Sequence, residues 1–522
     1  MRRISILLLS LLFTLTACSV NPVTGEKNFI LPNLDESWER NVGQQMYAPM
    51  RQSQGGDYKL DLELSTYIET VGGRLALQSS RDLAYEFHII NDSIPNAWAL
   101  PGGKIVVNRG LLTELKSEAE LAAVLGHEIV HADAAHGARQ QSKGMLTQVG
   151  MMAAMIYGSS QAESRQAQQI AMILPQLGAQ LITTKYGRDA ERESDDYGMR
   201  YMSGAGYDPQ GAVELQETFV RLSEGRRSDW LSGLFASHPA STERVANNRN
   251  TAKKLPKGGE MGKNVYMQKT AHLRSVMPAY EAYDNARKAL AEDKIKEARA
   301  LVSEAIRLEP KEALFHALSG DIYLAKDQFN RAEKAFSNAL QRDDGFFYHY
   351  LRRGQVRYER KNFAAARTDL ERSLELLPTA QANLLLGNIN RDGGNIDSAI
   401  QYYQTAAQSS PPASEQAQRE LALLEMPKNP GKYIQTKAFL DQDGTVGVAV
   451  RNNSQVTVNG IRVKVEYIDS AGQLREITQG FDDWLAQGEQ AAAATQVRGF
   501  SDTYELSRRV RVTVVKAQVA ER

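Results

Sequence analysis

His127-Glu128-Ile129-Val130-His131 sets two imidazoles four residues apart, with a carboxylate directly after the first. The surrounding stretch 118–136 contains no proline and carries Leu121, Val124, Leu125, Ile129 and Val130, a spacing that predicts a helix. Residues four apart on a helix share a face, so the imidazoles converge on one point while Glu128 leaves the helix beside them. That is the arrangement of a zinc hydrolase, in which a carboxylate beside the attacking water acts as base. The same five residues also suit a pair of solvated helix histidines, and a third ligand separates the two readings. Further along, Gly187-Arg-Asp-Ala-Glu191-Arg-Glu193-Ser-Asp195-Asp-Tyr-Gly198 predicts a second helix with Glu191 and Asp195 one turn apart. One carboxylate can bind the metal while the other accepts the free N–H of a ligand histidine and sets its tautomer. Without the upstream motif, the pair would be an ordinary charged surface.

Together the two motifs resemble the gluzincin family that includes the CAAX-prenyl protease and HtpX. The resemblance covers most of the first domain. It implies a mainly α gluzincin-type α+β metalloprotease with one zinc ion per chain, held by His127, His131 and Glu191, with Glu128 as catalytic base. Glu191 and Asp195 occupy the family's Glu-x-x-x-Asp, which assigns Asp195 to the layer behind the ligands. His136 stands where the family often has a further histidine, and a helix-end or packing role suits it better than ligation. Upstream, Asn96-Ala-Trp-Ala-Leu-Pro-Gly-Gly-Lys104-Ile105-Val106-Val107-Asn108-Arg-Gly-Leu-Leu112 resembles the family's edge-strand segment. The resemblance implies that an extended substrate pairs with Lys104, Ile105, Val106 and Val107 by β-augmentation. Downstream, Ser237-His238-Pro239-Ala-Ser-Thr-Glu243-Arg244 resembles a segment whose histidine approaches the metal. Two roles stand open for His238, oxyanion stabiliser or occupant of zinc's fourth position, beside that of an ordinary loop histidine.

These motifs must be positioned by a chain of 522 residues, long enough for several domains. Lys+Arg and Asp+Glu each total 62, so no net charge points to nucleic acid as a partner. A mean hydropathy of −0.43 excludes a polytopic membrane protein. At the start, a basic Met1-Arg2-Arg3, a short apolar run and Leu15-Thr16-Ala17-Cys18 read as a signal peptide over residues 1–17, and the last four resemble a bacterial lipobox. Cys18 is the only cysteine, which fits lipidation and leaves no disulfide framework. Ser19 after it favours an outer-membrane anchor facing the periplasm, with 18–34 as anchor and tether. The protease domain is placed at 35–252, followed by a Lys/Gly-rich linker over 253–263. Between the motifs, 145–157 and 170–182 are strongly apolar; they read as core, with a mobile lid or a membrane or partner contact as the alternative.

Over 276–426, Ala298, Ala332, Ala366 and Ala399 recur at steps of 34, 34 and 33. Each is followed four residues later by Val302, Phe336, Leu370 or Tyr403, and then by Ala305, Ala339, Ser373 or Ala406. This period predicts an α-solenoid of about four helix pairs and resembles the tetratricopeptide repeat, with Gly320, Gly354 and Gly387 at its tight first-helix position. From residue 432 the pattern alternates, as in Val446-Gly-Val-Ala-Val, Ile461-Arg-Val-Lys-Val and Val510-Arg-Val-Thr-Val. This predicts strands and a β-sandwich over 432–518 similar to small immunoglobulin-like domains.

The order of anchored leader, gluzincin domain and repeats resembles that of an envelope quality-control protease of this family. The resemblance implies endopeptidase action on unfolded or misassembled envelope and outer-membrane proteins at the barrel-assembly machinery, with the repeats recruiting substrate or partner. The lipid anchor and the carboxy-terminal sandwich depart from that pattern. The rival reading is a chaperone or scaffold with a latent zinc site, against which the presence of Glu128 argues.

Overall fold

The computed structural model describes residues 18–158, 186–225, 238–239 and 241–520. The leader at 1–17 and the apolar run 170–182, with the lid considered there, lie outside the described residues. The chain forms two compact units, Met1–Lys326 with Lys334–Phe346, and Asp327–Glu333 with Phe347–Arg522. Among the described residues, no helix is long and apolar enough to cross a membrane.

The first unit opens with a small antiparallel hairpin, β1 (Cys18–Val20) and β2 (Lys27–Phe29). Helices α1 (Glu36–Ser53) and α2 (Leu62–Ala76) follow, then β3 (Glu86–Ile90), β4 (Ala97–Leu100) and β5 (Lys104–Asn108). Next come α3 (Arg109–Glu114), α4 (Glu118–Asp133), α5 (His136–Gly158), α6 (Arg188–Gly204), α7 (Gln210–Gly225) and α8 (Thr242–Ala252). Helices α9 (Lys263–Lys269), α10 (Ala271–Ser275), α11 (Met277–Ala291), α12 (Ile295–Leu308) and α13 (Ala313–Leu324) follow, and α14 (Phe329–Leu340) is divided, its start assigned to the second unit and its remainder from Lys334 to the first. The run 145–157 is helical, within α5.

Three expectations are corrected here. Lys104, Ile105, Val106 and Val107 do not form an edge strand: the sheet order is β3-β5-β4, so β5 is central, parallel to β3 and antiparallel to β4. Both of its backbone edges are engaged and every β5 residue is buried. The turn that creates this hairpin, Leu100-Pro101-Gly102-Gly103-Lys104, holds both glycines at positive φ, +80° and +83°, which β-branched or bulky residues resist. Residues 18–34 are not a loose tether either. Leu34 is buried against Ala135 and Ala138, and the Leu31 N–H donates to Ser142 Oγ at 3.0 Å. Nor is 253–263 a free linker. Glu260 exchanges backbone hydrogen bonds with Gly206 and Asp208, and the Ala119 N–H donates to the Met261 carbonyl.

The first repeat helices are also part of this unit, so compactness breaks within the repeats and not at 253–275. The reason is a buried polar junction. Arg109, 1% exposed, lies 3.4 Å from the centre of the Tyr280 ring and donates from Nε to Asn91 Oδ1 at 2.9 Å. Asn91 Nδ2 in turn donates to Glu312 Oε2 at 3.0 Å, and the Tyr280 hydroxyl donates to the same carboxylate.

In the second unit, helix pairs α15 (Phe347–Glu359) with α16 (Phe363–Leu376) and α17 (Ala380–Asp392) with α18 (Ile396–Ala407) precede α19 (Ala413–Glu425). Every position of the sequence periodicity is buried across the repeats, the largest exposure among them being 2% at Val302. The pairing recurs with one geometry: a Cβ on Gly320 would meet the Phe336 ring at 2.7 Å, one on Gly354 the Leu370 side chain at 2.9 Å, and one on Gly387 the Tyr403 ring at 2.4 Å. Beyond α19 lie β6 (Ile434–Leu440), β7 (Thr445–Asn452), β8 (Val458–Ile468), β9 (Leu474–Phe481), β10 (Gln490–Arg498), α20 (Thr503–Arg509) and β11 (Val510–Val519). They form two antiparallel three-stranded sheets, β10-β7-β6 and β11-β8-β9, whose inner Val448, Val450, Val463, Val465 and Val514 share one apolar cluster.

Gly387→Val is expected to overpack the buried Tyr403 contact and destabilise the protein by roughly 1–3 kcal/mol. Urea unfolding of both proteins reads the difference, and an unchanged midpoint would remove this contact from the determinants of the repeat.

Candidate metal centre

Helix α4 carries both motif histidines and has almost no solvent face: all of its residues from Ala119 to Asp133 are buried. Ser117 caps its start, accepting from the Glu120 N–H at 3.1 Å. It meets α6 at a glycine pair. A Cβ on Gly126 would stand 3.1 Å from the Gly198 carbonyl oxygen, and one on Gly198 would stand 3.0 Å from the His127 nitrogen. The two backbones therefore touch, and the first turns of α6 deliver Glu191 and Asp195 to the histidines.

His127 Nε2 and His131 Nε2 approach to 3.0 Å, and His238 Nδ1 lies 3.3 Å from His127 Nε2. Glu191 closes the group, with Oε1 at 2.9 Å from His238 Nδ1 and 3.5 Å from His131 Nε2, and Oε2 at 3.5 Å from His127 Nε2. All four residues are buried, and one donor atom from each lies within 4.8 Å of the others. Three ring nitrogens and a carboxylate aimed at one point repel as lone pairs unless a proton or a cation lies among them. A small divalent cation satisfies all four together, and this N/O donor set suits zinc.

The outer contacts set the donors. Asp195 Oδ1 lies 3.0 Å from His127 Nδ1, which places the ring proton there and turns the Nε2 lone pair inward. Asp195 is itself gripped by Arg244, from Nε at 2.8 Å and Nη2 at 2.7 Å, and Arg244 Nη1 reaches Glu191 Oε2 at 3.1 Å. On the far side of His131, its Nδ1 lies 2.8 Å from His136 Nδ1, and the Tyr186 ring stacks on it with centroids 4.1 Å apart. His136 is thus behind a candidate ligand and not among the four.

Burial opposes charge throughout. It pushes the Glu128 carboxyl up and His131 well below the ordinary imidazole range. Burial also works against Glu191 and Asp195, but the surrounding histidines hold Glu191 far below the carboxylate range, and Arg244 lowers Asp195. At His127, burial is overridden by Asp195 and Glu191, and the imidazole is pushed up to about 10. Glu128 meets this network only at its edge. Among the described residues its Oε2 is buried without a hydrogen-bond partner, and Oε1 lies 3.5 Å from His238 Nε2. A small cavity of about 30 Å³ opens beside it, lined by Ala97, Val124, Met199, Met202, Leu215 and Phe219 together with polar side chains that include Gln216 and Asn248.

The structure brings together His127, Glu128, His131, Glu191, Asp195 and His238. Lys104, Ile105, Val106 and Val107 are not among the residues lining the cavity, whereas Ala97 of β4 is. Sequence reasoning gave no role to Arg244, whose signal was available: a basic residue in the first turn of the Ser241-capped α8, where the helix dipole disfavours it.

This fold and site define a metalloendopeptidase. Residues 62–252 match the profile of Peptidase family M48, a zinc metalloprotease family, and residues 283–347 and 351–414 each match a tetratricopeptide repeat profile; the chain carries an M48 peptidase domain together with these repeats. It is similar to the beta-barrel assembly-enhancing protease of Escherichia coli K12, 26% identical over 366 residues, covering 64% of this chain and 74% of that one. It is also similar to the mitochondrial metalloendopeptidase OMA1 of Schizosaccharomyces pombe, 34% identical over 230 residues, covering 43% of this chain and 63% of the relative.

Asp195→Asn keeps the side-chain volume but weakens the acceptor for His127 and the partner of Arg244. Zinc affinity is expected to fall about 10- to 100-fold, as for other residues behind metal-bound histidines. Chelator competition checks this, and unchanged affinity would place the Asp195 contact outside the metal site's requirements.

Proposed function

We propose that the protein is a zinc endopeptidase of the bacterial envelope that degrades unfolded or misassembled outer-membrane proteins. In this reading His127, His131 and Glu191 hold the metal and Glu128 is the base. The observation that carries it is the convergence of four buried donors beside a carboxylate oxygen, Glu128 Oε2, that has no hydrogen-bond partner among the described residues. When bound, zinc supplies a Lewis acid that makes water a competent nucleophile near neutral pH. Glu128 takes the proton from the attacking water and returns it to the leaving amine; burial, which raises its affinity for a proton, suits it to that shuttle. Substrate pairs with β4, the edge strand that contributes Ala97 to the small cavity beside Glu128.

The envelope assignment rests on the lipobox-like Leu15-Thr16-Ala17-Cys18 and on the relative named for barrel assembly. Cys18 lies three residues before buried Asn21, at most about 10 Å of extended backbone. A lipid on Cys18 would therefore hold the peptidase near the bilayer surface. We place the anchor segment at 18–34, the peptidase at 35–252, the repeats at 276–426 and an immunoglobulin-like sandwich at 432–518. The repeats recruit the substrate or the barrel-assembly machinery. A scaffold role with a latent site is the second reading, favoured by one observation: His238 occupies the fourth donor place.

Purified protein loaded with zinc is expected to cleave an unfolded outer-membrane protein, while Glu128→Gln and chelator-treated protein do not, with zinc retained in the variant. Cleavage by Glu128→Gln at the wild-type rate would refute the role of Glu128. His238→Ala is expected to raise turnover and release zinc faster. A fall in turnover with zinc retained would assign His238 to the oxyanion instead.

A further inference from the structure

Asn21 belongs to the turn Asn21-Pro22-Val23-Thr24-Gly25, between β1 and β2, far in sequence from either metal motif. It is 2% exposed, and its side chain is used at both ends. Oδ1 accepts from the Val23 N–H at 2.9 Å and the Thr24 N–H at 3.4 Å, while the backbone closes the turn through Asn21 N–H to the Glu26 carbonyl at 2.8 Å and Gly25 N–H to the Asn21 carbonyl at 2.9 Å. The remaining group, Nδ2, donates to Glu193 Oε1. A turn-forming asparagine needs only its oxygen; the amide nitrogen is spent on a carboxylate 172 residues away.

Glu193, two residues after Glu191 on α6, holds no place among the four donors. Its Oε2 accepts from Arg139 Nη1 at 3.1 Å and lies 3.4 Å from His136 Nε2, close enough for attraction though not aligned as a hydrogen bond. His136 Nδ1 is 2.8 Å from His131 Nδ1. Proton placement along this row follows from one requirement. If His131 turns an Nε2 lone pair inward, its Nδ1 carries the proton and donates to His136 Nδ1. His136 must then carry its own proton on Nε2, facing Glu193. A carboxylate at the end of the row favours that order, and the opposite order would leave two lone pairs facing each other.

We propose that Asn21 is a positioning residue of the metal site: by fixing the Glu193 carboxylate it orients His136 and, through it, the tautomer and ring of His131. The proposal rests on the reading of His131 as a metal ligand. It also accounts for the docking of the amino-terminal hairpin, whose turn is further held by Ser80 Oγ donating to the Pro22 carbonyl at 3.1 Å.

The test uses the full chain in four versions: wild type, Asn21→Asp, Glu193→Gln and the double variant, each measured for zinc affinity by chelator competition and for Tm. Asn21→Asp keeps the turn acceptor but replaces the donor with a second carboxylate against Glu193, so a role confined to folding the turn would leave zinc affinity unchanged. Zinc affinity is expected to fall about tenfold in each single variant, and by no more than the stronger single effect in the double. Either folded single variant binding zinc within twofold of wild type overturns the proposal; should Asn21→Asp fail to fold, Glu193→Gln decides alone. His131→Ala is the control. If it too retains zinc, the ligand reading fails; if it loses zinc while the others do not, only the role of Asn21 does.

Discussion

A helix with almost no face toward water must find partners inside the protein for the polar groups it carries, and α4 is such a helix. Glu118, at its start, accepts from the Tyr67 and Tyr207 hydroxyls, both at 2.8 Å. Asp133, at its end, accepts from Ser79, Tyr85 and Tyr201. His127 is answered by Asp195 and His131 by His136. These partners come from α2, α5, α6 and the segments after α2 and α6, so satisfying one helix assembles most of the peptidase around it. Among the described residues Glu120 Oε1 and Glu128 Oε2 are the buried carboxylate oxygens of α4 left without a hydrogen-bond partner, and Glu128 is the group the chemistry needs free.

The same economy explains the layered charges. Four donors converging in the interior would be costly if each ring were free to choose its tautomer, because a wrong choice sets proton against proton or lone pair against lone pair. Asp195, clamped by Arg244, fixes one ring, and the row from His136 to Glu193 borders another. Backbone contact between Gly126 and Gly198 provides the distance at which these short side chains meet.

Legibility in the sequence followed the range of the interaction. The repeat period survived into burial position by position, because each helix pair packs through residues sixteen apart, such as Gly354 against Leu370. Strands β7, β8 and β11 were visible as alternation. β10 was not, since its core is Ala491-Ala-Ala-Ala494, with little intrinsic strand preference, held extended by its ladder with β7. The sequence signature of β5 is an apolar run, and an apolar run reads alike at the centre of a sheet and at a covered edge; strand order places it in the middle.

What the sequence by itself determined is whatever the helical repeat of 3.6 residues enforces locally: two imidazoles and a carboxylate on α4, two carboxylates a turn apart on α6, and the stripe that pairs the repeat helices. Tertiary structure decided the rest. It chose which carboxylate joins the donors, brought His238 and Arg244 to them, packed the segment after Cys18 against Glu193 and tied the first repeats to the peptidase through Arg109 and Glu312. Those choices depend on groups far apart in the chain whose pairing has no period, and only the requirement that buried charges be answered by buried partners brings them together.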